Sequence, residues 1–204
     1  MRVGIIGIVA LTAVLSAPAL ARAQEAADPQ WSTTLAMALG SAQVTCDACD
    51  SERSRAPSGY VRVGRAFAPG LTVSAELDAW SKKEEWTLYD ASGTRSTGSS
   101  RFTITTLDAV VQWYPQSSRG FFVDAGLGWG RYSARSKSFD IGGSSVYSNA
   151  LGYQAGAGYD IPLTAELAIT PSVKVFGFTG AKASDLDGRF GANVAQLALG
   201  LTWR

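Results

Sequence analysis

Large apolar residues alternate with small or polar ones in nearly every part of the chain after residue 30. A period of two places the two sets on opposite faces of a β-strand, and no segment after residue 30 keeps a helical period. The fold is therefore predicted to be all-β. The pattern recurs in eight segments, at 31–43, 59–67, 71–80, 107–114, 121–130, 151–160, 167–175 and 195–203.

The connections between these predicted strands alternate in length. Those near 44–58, 81–101, 133–147 and 179–190 are long, polar and rich in Ser, Gly and charge, whereas those near 68–70, 115–120 and 161–164 are short. All long connections then fall at one end, as in outer-membrane barrels, which have short periplasmic turns and longer extracellular loops. The pattern predicts an eight-stranded antiparallel up-and-down transmembrane β-barrel over residues 31–204, with both of its ends on the periplasmic side.

Aromatic residues on the large apolar face collect next to the short turns. Such residues concentrate at membrane–water interfaces, so we expect a girdle there. Its members are Trp31, Phe67, Trp113, Phe121, Tyr159 and Trp203. The candidates at the opposite end are Trp129, Tyr153 and Trp80.

A soluble lipocalin-like barrel or a β-sandwich would show the same alternation. A solvated face would carry many Lys, Glu, Gln and Thr residues, but the second face here is rich in Gly and Ala and has few charges. Eight strands enclose a lumen that side chains just fill. The glycines are therefore expected to make room for large inward side chains such as Tyr60, Phe122 or Arg62.

The second face also carries six charged residues at bilayer depth. They are Arg62, Glu76, Asp78, Asp108, Asp124 and Lys174. Charges at this depth must point inward and find partners, which predicts a lumen ion-pair network that closes the barrel. A gated or selective pore is the alternative.

The turn at 68–70 predicts one pair within that network. If Ala68-Pro69-Gly70 is a three-residue turn, Phe67 faces Leu71 and Arg62 lies directly opposite Glu76. Opposite charges on facing positions stabilise a strand pair. We expect an ion pair between Arg62 and Glu76, helped by Gln154 or Gln196 and by Asp108.

The first 23 residues read as a targeting signal. Arg2 precedes an apolar run, 3–15, which is followed by Pro18 and an Ala21-Arg22-Ala23 cleavage site. A membrane-anchoring helix is the alternative, but it needs about 20 apolar residues. The predicted organisation is a signal peptide at 1–23, a short periplasmic tail at 24–30 and the barrel at 31–204.

Composition excludes several classes of function. Cleavage removes two of the 18 basic residues and none of the 17 acidic ones, which leaves a nearly neutral chain with no indication of nucleic-acid binding. The chain has no histidine, which removes Ser-His-Asp hydrolysis, Cys-His pairs and His-based metal sites. We expect neither an enzyme nor a cofactor or metal site.

Two short motifs lie in the predicted extracellular loops. Cys46 and Cys49 could form a disulfide, half of a zinc site or a redox pair. No histidine or βαβ pattern supports the last two, and an exported chain meets an oxidising compartment, so a disulfide is predicted. The run 185–188, Asp-Leu-Asp-Gly, suggests a calcium loop but lacks its other ligands, and a solvated turn is favoured. The run 82–85, Lys-Lys-Glu-Glu, is predicted to be a solvated strand extension or loop, with contact to lipopolysaccharide phosphates as the alternative.

With its eight alternating strands, sided loops and closing segment 196–204 (QLALGLTWR), the chain resembles the small outer-membrane β-barrel family that includes OmpA, OmpX and Ail. The resemblance implies a monomeric, non-enzymatic scaffold in the outer membrane that presents four extracellular loops. Its implied partners are outer-membrane lipid and lipopolysaccharide, the barrel-assembly machinery during biogenesis, and an extracellular ligand of unknown identity. A passive narrow channel for small solutes is the alternative function, and a lipid-modifying enzyme is a third.

Overall fold

The computed structural model of the protein describes residues 31–45, 53–89, 93, 95–115, 120–138, 142–182 and 189–204. These residues form eight long β-strands and one two-residue strand, β7. In chain order they are β1 (Trp31–Thr45), β2 (Arg53–Ala68), β3 (Leu71–Tyr89), β4 (Arg95–Trp113), β5 (Phe121–Ser138), β6 (Gly142–Tyr159), β7 (Ile161–Pro162), β8 (Leu167–Lys182) and β9 (Arg189–Trp203). No helix within the described ranges is long and apolar enough to cross a membrane.

The eight long strands close into one antiparallel barrel. Strands β1 to β6 pair in sequence order, β6 pairs with β8, β8 with β9, and β9 with β1. Among the described residues, the short strand β7 pairs only with the start of β8. Closure lets the backbone groups of each long strand pair on both sides, which a membrane-spanning sheet requires. The predicted eight-stranded up-and-down barrel is confirmed.

The outer face of the barrel is apolar and the lumen is partly charged. Leu35, Leu77 and Leu197 are 54%, 45% and 67% exposed, whereas Glu76 and Asp78 are fully buried. A soluble barrel would have the opposite distribution. The apolar outer face therefore suits a surrounding lipid phase and excludes a soluble barrel or sandwich.

Four strands rise higher than the rest at the end away from the short turns. Strands β3 to β6 have 18 or 19 residues, whereas the other long strands have 15 or 16. The prediction of long loops at 81–101 and 133–147 was wrong for most of these residues, which are paired strand. Their polar composition reflects strands that continue beyond the lipid. We call residues 81–89, 95–105, 131–138 and 142–149 the strand extension.

The turn between β2 and β3 is shorter than predicted. Ala68, and not Phe67, pairs with Leu71, so that Pro69 and Gly70 form a two-residue turn with Gly70 at φ 73°. The register shifts between Ala66 and Ala68, which makes Phe67 the extra residue of a β-bulge. The bulge takes up the residue that the shorter turn leaves over. The remaining pairs of the two strands therefore keep the predicted register.

Inward glycines make room for neighbouring side chains, as expected, but not for all the expected ones. A Cβ at Gly158 would lie 2.5 Å from the Phe122 ring. At Gly128 and Gly156 it would lie 2.7 and 2.8 Å from carboxylate oxygens of two inward aspartates. The side-chain atoms nearest to these glycines thus belong to Phe122, Asp108 and Asp124, and not to Tyr60 or Arg62.

Candidate functional site: the lumen of the barrel

Inward side chains fill the lumen at three levels. A group of ion pairs, which we call the ion-pair layer, lies at mid-height. Above it, towards the strand extension, lies an apolar layer, and below it, near the short turns, lies a polar group that we call the periplasmic cluster. The sequence predicted only the first of these.

The ion-pair layer begins with Arg62 on β2. Arg62 lies directly opposite Glu76 on β3, and its Nε donates to Glu76 Oε2. Its Nη2 reaches across the lumen and lies 2.5 Å from Asp124 Oδ2 on β5. The short turn and the bulge at Phe67 set the first contact, whereas the second depends on barrel closure.

Lys174 on β8 completes the layer. Its Nζ contacts Glu76 Oε1 and lies 3.4 Å from Asp78 Oδ1. Gln196 Nε2 donates to the same Asp78 oxygen at 3.1 Å. The Lys174 ammonium also lies 3.6 Å from the centre of the Tyr60 ring, a cation–π contact. Glu76 is thus the carboxylate that joins both cations.

Asp108 lies in the same layer but outside its ion pairs. It faces Glu76 across the β3–β4 pair and is 2% exposed. Neither carboxylate oxygen has a hydrogen-bond partner among the described residues, and the same holds for the amide of buried Gln154. Of the predicted helpers, the structure places Gln196 against Asp78, whereas Gln154 and Asp108 make no such contact. Three carboxylates therefore share the two cations, and Asp108 pairs with neither of them.

The apolar layer closes the lumen above the ions. It consists of buried residues that continue the inward alternation beyond the predicted strand ends. They are Ala42, Ala56, Trp80, Ile104, Phe176, Phe178, Ala181, Ala192 and Val194. The signal was present in the sequence, because Phe176 and Phe178 follow Lys174 at inward positions. Trp80, a candidate for the outer girdle, is instead 3% exposed, and its Nε1 donates to Gly40 O at 3.2 Å.

The periplasmic cluster is built around Asp160, a buried residue between β6 and β7. Asp160 accepts hydrogen bonds from Tyr114 Oη at 2.9 Å and Thr170 Oγ1 at 2.7 Å, and pairs with Arg204. Burial, with the Asp160 carboxylate, raises the pKa of Tyr114 above its usual value. Below the ion-pair layer a cavity of about 390 Å³ has Arg62, Tyr114 and Asp160 among its lining residues. The lumen is thus open to the periplasmic end only as a vestibule.

The six predicted girdle aromatics all lie on the outer face beside the short turns. Their exposed fractions run from 43% for Trp203 to 79% for Phe67. Arg65 stacks over the Trp31 ring at 6.0 Å. At the other end Trp129 is exposed, and the Tyr153 hydroxyl donates a hydrogen bond to Asn193 Oδ1 on β9. The positions suit an interfacial girdle, and lipid contact by these side chains remains a prediction.

Several predicted features lie outside the described residues and stay predictions. These are the signal peptide at 1–23, the tail at 24–30, the Cys46–Cys49 disulfide and the turn at 185–188. The run 82–85 is described and belongs to β3, where Lys83 pairs with Glu85 at 2.8 Å. That hydrogen bond lowers the pKa of Glu85. In the described part of the chain, no group of three or more Cys, Asp or Glu residues could hold a metal ion.

A family model described as the outer membrane protein beta-barrel domain matches residues 7–204. The chain belongs to this family. Among solved structures, the chain is similar to Ail, the attachment invasion locus protein of Yersinia pestis, in its complex with the heparin analogue sucrose octasulfate. The TM-score is 0.53 and the sequence identity 14%, and the alignment covers 85% of this chain and 99% of that one. The structure of Ail without this ligand gives a TM-score of 0.52 and 15% identity, and the alignment covers 85% of this chain and 98% of that one. No curated protein sequence matches the chain.

Family membership and fold agree on location. This chain is an outer-membrane β-barrel, and its exposed apolar face lies in the lipid of that membrane. At 14–15% identity the likeness to Ail concerns the fold. The function of the barrel in the membrane must therefore be inferred from its own residues.

Proposed function

We propose that the protein is a non-enzymatic scaffold with a closed lumen, whose strand extension and extracellular loops make contacts at the cell surface. The observation that carries this proposal is the filling of the lumen at two successive levels. Solutes would have to pass both the ion-pair layer and the apolar layer, and the side chains of both layers are almost fully buried.

The two layers oppose passage by different means. Charged side chains in the ion-pair layer hold one another through at least four contacts, so an ion that enters must disrupt existing pairs. The apolar layer offers no polar partner to a hydrated solute, and such constrictions block pores by excluding water. Either layer alone impedes flow, and the two act in series.

A catalytic role has little chemical support in this chain. The sequence has no histidine, and the charged residues of the lumen are engaged with one another or enclosed. Exposed polar surface is instead concentrated in the strand extension. The Ail structure cited above was solved with a heparin analogue, which supports a surface-binding role for barrels of this shape.

The test is conductance. Folded protein, checked by its different gel mobility before and after boiling, is inserted in a planar bilayer under voltage clamp. We expect no stepwise current above that of the lipid alone. Steady current steps from the unaltered protein would contradict the closed scaffold and support the second candidate, a passive narrow channel.

One observation favours that second candidate. The vestibule of about 390 Å³ reaches Arg62 from the periplasmic end, and buried polar atoms of Asp108 and Gln154 nearby lack described partners. Water in this region could extend a polar path upward as far as the apolar layer. The channel function therefore requires that the apolar layer opens.

A further inference from the structure

The outer wall of the strand extension carries a cluster of arginines, which we call the basic patch. It consists of three successive outward pairs between β4 and β5. Arg101 lies opposite Arg135, Thr103 opposite Ser133, and Thr105 opposite Arg131. These six residues line a shallow cavity of about 320 Å³ on the exterior of the barrel.

The basic patch begins directly above the apolar part of the outer face, which we call the apolar belt. The next outward pair below it is Leu107 opposite Trp129, and both side chains are about half exposed, at 51% and 49%. Successive outward residues on a strand are separated by roughly 7 Å. The lowest pair of the patch therefore lies at the boundary between the hydrocarbon core and the lipid headgroups, on the outer face of the barrel.

The three arginines of the patch have no ion-pair partner among the described residues. No carboxylate lines the cavity, and within the described ranges none of its three arginines forms an ion pair. Lys83, which faces Arg101 from β3, differs because it pairs with Glu85. Like charges on directly opposite positions destabilise a sheet. The Arg101–Arg135 pair thus lowers stability unless an anion lies between the two side chains.

We propose that the basic patch binds phosphate groups on the headgroup of the glycolipid in the outer leaflet. Guanidinium groups recognise phosphate through paired hydrogen bonds. The hydroxyls of Thr103 and Ser133 lie between the upper and lower arginines and supply further donors. Arg131 also lies 5.1 Å from the centre of the Tyr147 ring, which orients its guanidinium.

The position of the patch selects this occupant over a soluble anion. Its side chains point away from the barrel axis, just above the belt, so headgroups lie beside them whenever the protein is inserted. A soluble ligand would have to displace those headgroups. The proposal concerns the outer wall only and is independent of whether the lumen conducts.

Two triple variants test the proposal. The first combines Arg101→Gln, Arg131→Gln and Arg135→Gln. The second, a control, combines Arg53→Gln, Arg55→Gln and Arg95→Gln, three exposed arginines outside the patch, and removes the same charge. Folded proteins in zwitterionic detergent are titrated with purified lipopolysaccharide, with the same lipopolysaccharide after removal of its phosphates, and with sucrose octasulfate as a soluble sulfated saccharide.

We expect the patch variant to bind lipopolysaccharide more weakly by on the order of tenfold or more, because several charge-assisted hydrogen bonds are lost. The control variant should bind like the unaltered protein, and removal of the phosphates should abolish the difference between all three. Equal binding by patch variant and unaltered protein would overturn the proposal. Tighter binding of the soluble saccharide than of the glycolipid would also overturn it, in favour of a soluble ligand.

A stability measurement separates binding from a structural role of the arginines. In phosphatidylcholine vesicles the patch variant should resist thermal unfolding at least as well as the unaltered protein, because a like-charge pair has been removed. In vesicles that also contain lipopolysaccharide, the unaltered protein should resist thermal unfolding better than the patch variant. A patch variant that is less stable in both vesicle types would show that the arginines serve the fold, and the proposal would fail.

Discussion

Glu76 is the residue through which the ion-pair layer is connected. It faces Arg62 on one side and contacts Lys174 on the other, so its removal leaves two buried cations with one carboxylate each. Asp108 lies directly opposite Glu76, is buried to a similar degree and has no cation. The two carboxylates therefore differ in their partners far more than in their surroundings.

This difference predicts opposite effects of the same chemical change. Glu76→Gln should lower the free energy of unfolding by about 3 to 5 kcal/mol, because it breaks two buried ion pairs at once, those with Arg62 and with Lys174. Asp108→Asn should be neutral or stabilising, since it removes a like charge beside Glu76. Denaturant titration of the barrel refolded in lipid vesicles measures both. Equal losses from the two substitutions would contradict the assignment of Glu76 as the joining residue.

A second residue-scale prediction concerns Cys46 and Cys49, between β1 and β2. The predicted oxidising surroundings favour a disulfide in the mature protein. Alkylation without reductant, followed by mass spectrometry, should find both thiols blocked, and a reduced sample serves as the control. Two alkylated cysteines in the unreduced protein would refute the pairing.

At the scale of strands, alternation predicted most of the fold, and its failures have identifiable causes. The pattern placed each long strand and its lipid face, because a period of two is independent of tertiary contacts. It missed the upper parts of β3 to β6, since strands outside the lipid can be polar on both faces. It also missed the bulge at Phe67, because a shorter turn plus a bulge leaves Arg62 opposite Glu76, as a longer turn would.

The sequence predicted the local features of the candidate site but not its contacts between distant strands. The inward charges were identifiable from their position in the alternation, and Arg62 opposite Glu76 followed from one local turn. The contacts of Arg62 with Asp124 and of Lys174 with Glu76 join distant strands. No local pattern states which residues meet across a closed lumen. The periplasmic cluster was missed for the same reason, because Asp160 and Arg204 meet only when β9 closes the barrel.

Strand position also predicts how the chain tolerates charge on its outer face. Leu199 lies in the middle of the apolar part of β9 and is 61% exposed, so Leu199→Lys places a charge in the lipid. It should lower the free energy of unfolding in vesicles by about 2 to 4 kcal/mol. Thr87→Lys in the strand extension, where Thr87 faces Thr97, is the control and should be close to neutral. Similar losses of the free energy of unfolding from both substitutions would mean that the apolar belt has been assigned to the wrong part of the strands.

For the whole molecule, the ion-pair layer and the apolar layer obstruct the lumen in series. Opening one obstacle leaves the other in the same path, so a variant that opens a single layer is expected to stay closed. Phe176→Ala with Phe178→Ala removes two fully buried rings from the apolar layer. Arg62→Ala with Glu76→Ala removes the connected pair from the ion-pair layer and leaves the apolar layer intact.

We expect each double variant to pass little or no current in planar bilayers and the quadruple variant to give clear current steps, because resistances in series are governed by the larger one. Each protein must first show the gel mobility of a folded barrel before boiling, since a truncated core can destabilise the fold. Vesicle leakage of a small dye provides a second readout for a variant that inserts poorly. Current from the phenylalanine variant alone would mean that the ion-pair layer is permeable, and the lumen would then have a single gate formed by the apolar layer. A quadruple variant that folds and does not conduct would show that other inward side chains close the lumen.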